Sequence, residues 1–128
     1  MKLLVPTSGP EPARERADYI LSIAKNFGAE VAVLHIAEPG EDHTHGNEAL
    51  KIFEEAGKRN EVPVTTHLKE GKVVDILSSF AEEENVGLIV MGASEGRIVA
   101  QWIVTDVIER SNIPVVIIPY GFSQIEVE

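Results

Sequence analysis

Three short stretches of this chain carry residue types that do chemistry at close spacing. The first is Thr7-Ser8-Gly9, directly before Pro10. Hydroxyls and a glycine at a helix entrance make either an anion-holding nest of backbone N–H groups or a plain helix cap, and a Ser ahead of a first-turn Pro favours the cap. The second is Gly92-Ala93-Ser94-Glu95-Gly96-Arg97. Glycines let a backbone approach phosphate oxygens, and Arg97 can reach a phosphate or pair with Glu95. Ser94 has no histidine at a spacing that would activate it, and the nucleophile-elbow pattern is absent. The third is Asp42, His43 and His45, in an acidic, glycine-containing stretch. A metal site needs fixed geometry and a third or fourth ligand, so no metal is expected there. His35, at the end of an apolar run, reads as a core or rim residue, and His67, between Thr66 and Leu68, reads as lying on a solvated edge. Trp102 reads as packing against the sheet or a partner subunit.

The elements that must position these groups alternate along the chain. Residues 3–6 form an apolar run of the kind buried on both faces of a sheet. Ala13, Ala17, Ile20, Ala24 and Phe27 follow as a helical stripe, with Gly28 where a left-handed cap belongs. Residues 31–36 form a second strand, and residues 38–46 the longest irregular stretch. Ala49, Phe53 and Ala56 mark a second helix ending near Gly57. Residues 62–68 alternate and carry Pro63, which places them at a sheet edge, with a turn at Glu70-Gly71. Val73, Ile76, Leu77, Phe80 and Ala81 mark a third helix, and residues 88–91 a fourth strand. Ala100, Ile103, Val104, Val107 and Ile108 mark a fourth helix, and Val115–Ile118 a fifth strand. Residues 1–121 thus read as one α/β domain, a five-stranded parallel sheet wrapped by helices, with residues 122–128 a loose tail. Right-handed crossovers leave few topologies, and a ligand in such a sheet sits beyond the strand C-termini where the strand order reverses. The loops to inspect are Thr7-Ser8-Gly9, Ala37-Glu38 and the run from Gly92 to Gly96.

Composition narrows the function. The 128 residues suffice for one core, and 44% apolar with 25% charged residues is a globular composition. Cysteine is absent, which excludes disulfides and thiolate metal sites and fits a reducing, cytoplasmic location. The first six residues are too short an apolar run for a signal peptide, and no stretch approaches membrane-spanning length. A net charge of −10 argues against nucleic-acid binding and requires any anionic ligand to be captured by local groups against the overall field.

Five segments in order resemble universal stress proteins: Leu4-Val5-Pro6, Val33-Leu34-His35-Ile36-Ala37-Glu38-Pro39, Glu70-Gly71 with Asp75-Ile76, Gly87-Leu88-Ile89-Val90-Met91-Gly92-Ala93, and Ile113-Pro114-Val115-Val116-Ile117-Ile118. The resemblance implies a Rossmann-like, adenine nucleotide alpha hydrolase-like fold with strand order 3-2-1-4-5 and helices on both faces. It also implies a homodimer through edge-to-edge pairing of Val115–Ile118. Many members bind ATP with an acidic residue after strand one and a loop after strand four that reads Gly, two residues, Gly, nine residues, then Gly followed by Ser or Thr. Here Ser8 stands where the acid belongs, Gly96 falls one position late with Glu95 in the slot, and Gln101-Trp102 replace the Gly-Ser pair in a shortened loop. Each lost charge-assisted hydrogen bond is worth about 1.5–3 kcal/mol, so losing two weakens phosphate binding by roughly a hundredfold or more. The expectation is a non-enzymatic stress-response homodimer with protein partners, no cofactor and no tight ATP binding. The alternative is a nucleotide switch with a rebuilt crevice on Pro6, Thr7, Ser8, Ile36, Met91, Gly92, Ser94, Gly96 and Arg97. A sensor for some other small molecule is a third possibility. Nothing in the sequence supports a hydrolase or an oxidoreductase.

Overall fold

The computed structural model describes residues 1–92, 109 and 112–118. The expected fourth helix and the tail lie outside the described residues. The elements are β1 (Lys2–Pro6), α1 (Pro10–Asn26), β2 (Glu30–Ala37), α2 (Thr44–Asn60), β3 (Val64–Glu70), α3 (Val73–Glu83), β4 (Leu88–Gly92) and β5 (Val115–Ile118). The strands form one parallel sheet in the order β3-β2-β1-β4-β5, the order the resemblance implied.

Alternation along the strands sorts the core into two layers. Leu3, Val5, Val31 and Val33 face α1 and α2, where Ala13, Ala17, Leu21, Ala49, Phe53 and Ala56 meet them. Leu4, Ala32, Leu34 and Ile89 face α3 through Leu77, Phe80 and Ala81. Helices therefore cover both faces, which is why β1, β2 and β4 are continuous apolar runs. Each fully buried Leu or Val contributes about 1.5–3 kcal/mol relative to exposure. Alanines along α1 and α2 let the two helices approach closely. Arg14–Glu48 at 3.1 Å and Arg59–Asp18 at 3.0 Å bridge them on the solvent side, where such pairs contribute little. Among the described residues no helix is long and apolar enough to cross a membrane.

Several boundaries differ from the sequence reading. Phe27, expected on the buried stripe, is the exposed C-cap of α1, and Gly28 behind it takes φ 63°, as its position suggested. The irregular stretch contracts to residues 38–43, because Asp42 Oδ1 accepts the Thr44 N–H at 2.7 Å and starts α2 there. Gly57 does not end α2, which runs on to Asn60 and closes with Glu61 at φ 59°. It is a packing glycine: a Cβ there would lie 2.4 Å from Val64 Cγ2 and 3.0 Å from the Val62 carbonyl oxygen. The third strand runs two positions later than its alternation suggested, with Glu70 paired to Ala37, though it does lie at the sheet edge. His67 is not simply solvated, since its ring meets Phe80 edge-on at 4.8 Å.

Two tests follow from this packing. Gly57→Ala gains about 1 kcal/mol of helix propensity but drives a methyl into Val64. The substitution is expected to destabilise by about 1–3 kcal/mol in urea melts, and a stabilised variant would contradict the packing role. Burial also pushes the His67 imidazole below its ordinary 6.5. The unfolded chain then binds the proton first, so this contribution to stability is full above 6.5 and is lost as pH falls through the window below it. His67→Gln is expected to flatten the acid side of the stability–pH curve, and parallel curves for the two proteins would refute the assignment.

Candidate functional site

The crossover from β1 to β2 covers one face of the sheet and the crossover from β3 to β4 the other, so neither closes over the carboxyl ends of β1 and β4. A crevice of about 240 Å³ opens there. Its floor is Val5 and Pro6 of β1, Leu34 and Ile36 of β2, and Met91 and Gly92 of β4. Thr7 and Ser8 form its lip, Ala13, Arg16 and Ile20 come from α1, Phe53 from α2, and Val73 and Leu77 from α3. The structure thus brings together Pro6, Thr7, Ser8, Ile36, Met91 and Gly92 of the expected site. Ser94, Gly96 and Arg97 lie outside the described residues. Ala37 and Glu38, one of the loops to inspect, are not among the residues lining the crevice.

The lip differs from the expected helix cap. The N-cap of α1 is Gly9, with no side-chain cap bond, so Ser8 is not the cap; it is exposed and lines the crevice. Pro10 and Pro12 carry no N–H, and the Ala13 N–H is engaged by the Gly9 carbonyl at 3.3 Å. Of the first three helical positions only Glu11 keeps a backbone donor, and it brings its own carboxylate. An anion nest at this helix start is therefore poorly equipped.

Arg16 was not among the expected site residues. It stands on the buried stripe of α1, between Ala13 and Ile20, and is 5% exposed. Its Nε is buried without a hydrogen-bond partner. Arg14 and Arg59 each pair with a carboxylate, whereas no ion pair joins Arg16 to another described residue. Its guanidinium lies over Gly92, where a Cβ would come 2.8 Å from Nη1 and 3.1 Å from Cζ. The signal available in the sequence was an arginine at helical spacing among alanines and isoleucine.

His35 holds the rim together. Its Nδ1 donates to the Thr7 carbonyl at 2.9 Å, and its Nε2 lies 3.2 Å from Glu41 Oε2. The Glu38 N–H and then His35 hold the Glu41 carboxyl below its usual range. The ring fills the space a side chain at Gly46 would need, with Cδ2 2.4 Å from that Cβ position. One buried imidazole therefore fastens the exit of β1, residues 38–43 and the first turn of α2. The Asp42, His43 and His45 group does not converge: Asp42, one residue before the N-cap His43, accepts the Thr44 N–H, and His43 pairs with Glu70 at 2.9 Å. Among the described residues no group of three or more His, Asp or Glu side chains could hold a metal. The described crevice wall offers a guanidinium, two hydroxyls and otherwise apolar side chains, with neither carboxylate nor imidazole.

His35→Ala removes a buried ring and strands the Thr7 carbonyl. It is expected to lower unfolding free energy by about 2–4 kcal/mol and to speed proteolysis within residues 38–43. An unchanged urea midpoint would show that the ring fastens nothing.

A model of the universal stress protein family matches residues 1–119. A universal stress protein of Methanocaldococcus jannaschii is 28% identical, over 91% of this chain and 81% of its own length. A universal stress protein solved in complex with cAMP superposes with a TM-score of 0.75 at 22% identity, over 93% of this chain and 96% of the other. One from Archaeoglobus fulgidus, in complex with dAMP, gives 0.72 at 23% identity, over 91% and 96%. At those identities the two structures speak for the fold alone.

Proposed function

The chain belongs to the universal stress protein family, and on that premise we propose that it is a non-enzymatic, cytoplasmic stress-response protein that acts as a homodimer and does not hold ATP tightly. The observation that carries this is the crevice wall. Among the described residues it presents no general acid or base, no carboxylate where the family holds a sugar or base, and one guanidinium to face three phosphates. The start of α1, with two of its first three donors removed by proline, adds little to phosphate capture.

The closing edge supports the homodimer. Among the described residues β5 ends the sheet, and Val116 and Ile117 are 41% and 39% exposed. An apolar edge strand left open invites pairing with another chain, and a second copy presents the same edge. Protein partners would dock on the dimer.

A second reading, a nucleotide switch, has its own support. Pro6, Thr7, Ser8, Ile36, Met91 and Gly92 share one crevice at the reversal of strand order, and two relatives of the same fold hold cAMP and dAMP. In that reading Gly92, Ser94, Gly96 and Arg97 form the rebuilt phosphate loop.

Titration calorimetry with ATP decides between them. The expected dissociation constant is about 100 µM or weaker, and a low-micromolar value would establish the switch. Light scattering is expected to give a dimer for the full chain and a monomer for Ile117→Lys. A monomeric parent would remove the homodimer from the proposal.

A further inference from the structure

We propose that Arg16 is the anion anchor of the crevice, and that the crevice takes a small organic molecule with a single oxyanion head, a phosphate monoester or a carboxylate, on an apolar body. An arginine 5% exposed, with Nε unpartnered, is a buried cation lacking a counter-charge among the described residues. Burying a charge unpaired is strongly unfavourable, so such a group is kept where something supplies the opposite charge. Arg16 lines the crevice beside the Thr7 and Ser8 lip, so a bound molecule can supply it.

Three features shape the ligand. The guanidinium is planar and its donors form a fork that matches a carboxylate or phosphate in a bidentate pair. Gly92 makes room for it, since a side chain there would displace Nη1. Apart from the Thr7 and Ser8 hydroxyls, the rest of the described wall, including Ile20, Leu34, Phe53 and Met91, is apolar and suits a compact hydrocarbon or aromatic body. A volume of about 240 Å³ is small for a site, since pockets for drug-sized ligands measure roughly 300–1,000 Å³. Ser8, neutral where the family's acid belongs, adds no negative charge to the lip.

The inference rests on the reading that this crevice is not a tight ATP site, and the experiment separates the two. Thermal shift and calorimetry on the full chain would use phenyl phosphate, phenylacetate and inorganic phosphate, with benzyl alcohol as the uncharged control and ATP alongside. Phenyl phosphate or phenylacetate is expected to stabilise the parent while benzyl alcohol does not, and the stronger of the two identifies the head group. Arg16→Met is expected to melt no lower than the parent without ligand, because an unpaired buried charge has gone, and to bind the anion at least about tenfold more weakly. Arg16→Lys is expected to keep a reduced response.

No stabilisation of the parent by either aromatic anion overturns the proposal, as does an undiminished response in Arg16→Met. A much less stable Arg16→Met beside an unresponsive parent also overturns it, because the counter-charge then comes from within the chain. Tight ATP binding that Arg16→Met abolishes would refute the ATP-poor reading and leave the anchor standing. Tight ATP binding indifferent to Arg16 would refute both.

Discussion

β1 hydrogen-bonds to β2 on one side and to β4 on the other, and the chain reaches these neighbours by crossovers on opposite faces. That arrangement follows from handedness: right-handed crossovers to either side of one strand must use opposite faces of the sheet. Among the described residues the carboxyl ends of β1 and β4 are consequently left without a helix across them. The crevice is therefore a product of topology, and its lining is fixed by whichever residues end those strands and begin the following helices. Pro6, Thr7, Ile36 and Gly92 are there because of where β1, β2 and β4 stop.

Around this frame, small residues are placed where large neighbours need room. Gly46 accommodates the His35 ring, Gly57 the Val64 side chain and Val62 carbonyl, and Gly92 the Arg16 guanidinium. The first two are structural fits. His35 is buried, and its two ring nitrogens meet Thr7 and Glu41, so its site is polar and locally satisfied. The third is different in kind. Arg16 packs its stem on the same stripe as Ala13 and Ala17, yet its Nε finds no partner. Similar geometry surrounds a finished interaction in one case and an open one in the other.

The central strands were legible because burial on both faces leaves a plain mark: residues 31–34 and 88–91 are apolar runs with no alternation to misread, whereas the strand order came from the family resemblance. Helix faces were legible for the same reason in a different period. What was not legible depended on contacts between elements. Gly57 looks like a helix end until Val64 is seen against it. Ser8 looks like a cap until the helix is seen to start from Gly9. His67 looks solvated until Phe80 is beside it. Arg16 escaped because charged residues in a helix are read as its wet face. Its spacing from Ala13 and Ile20 puts it on the dry one, and period outranks residue type when the two conflict.

The electrostatics of the crevice invert what the whole chain would suggest. At a net charge of −10 the distant field repels anions, yet that field is screened over about 8–10 Å at physiological ionic strength. Inside the crevice the relevant charges are those within contact, and among the described lining residues Arg16 is the sole charged side chain. A low-dielectric surround strengthens its pull on a bound oxyanion, because the same apolar wall that makes the cation expensive to leave unpaired also makes pairing it more favourable. At the lip Thr7 and Ser8 are both neutral. The neutral lip and the buried arginine thus act in the same direction. Together they leave the described crevice wall with a single positive charge against an otherwise neutral surface.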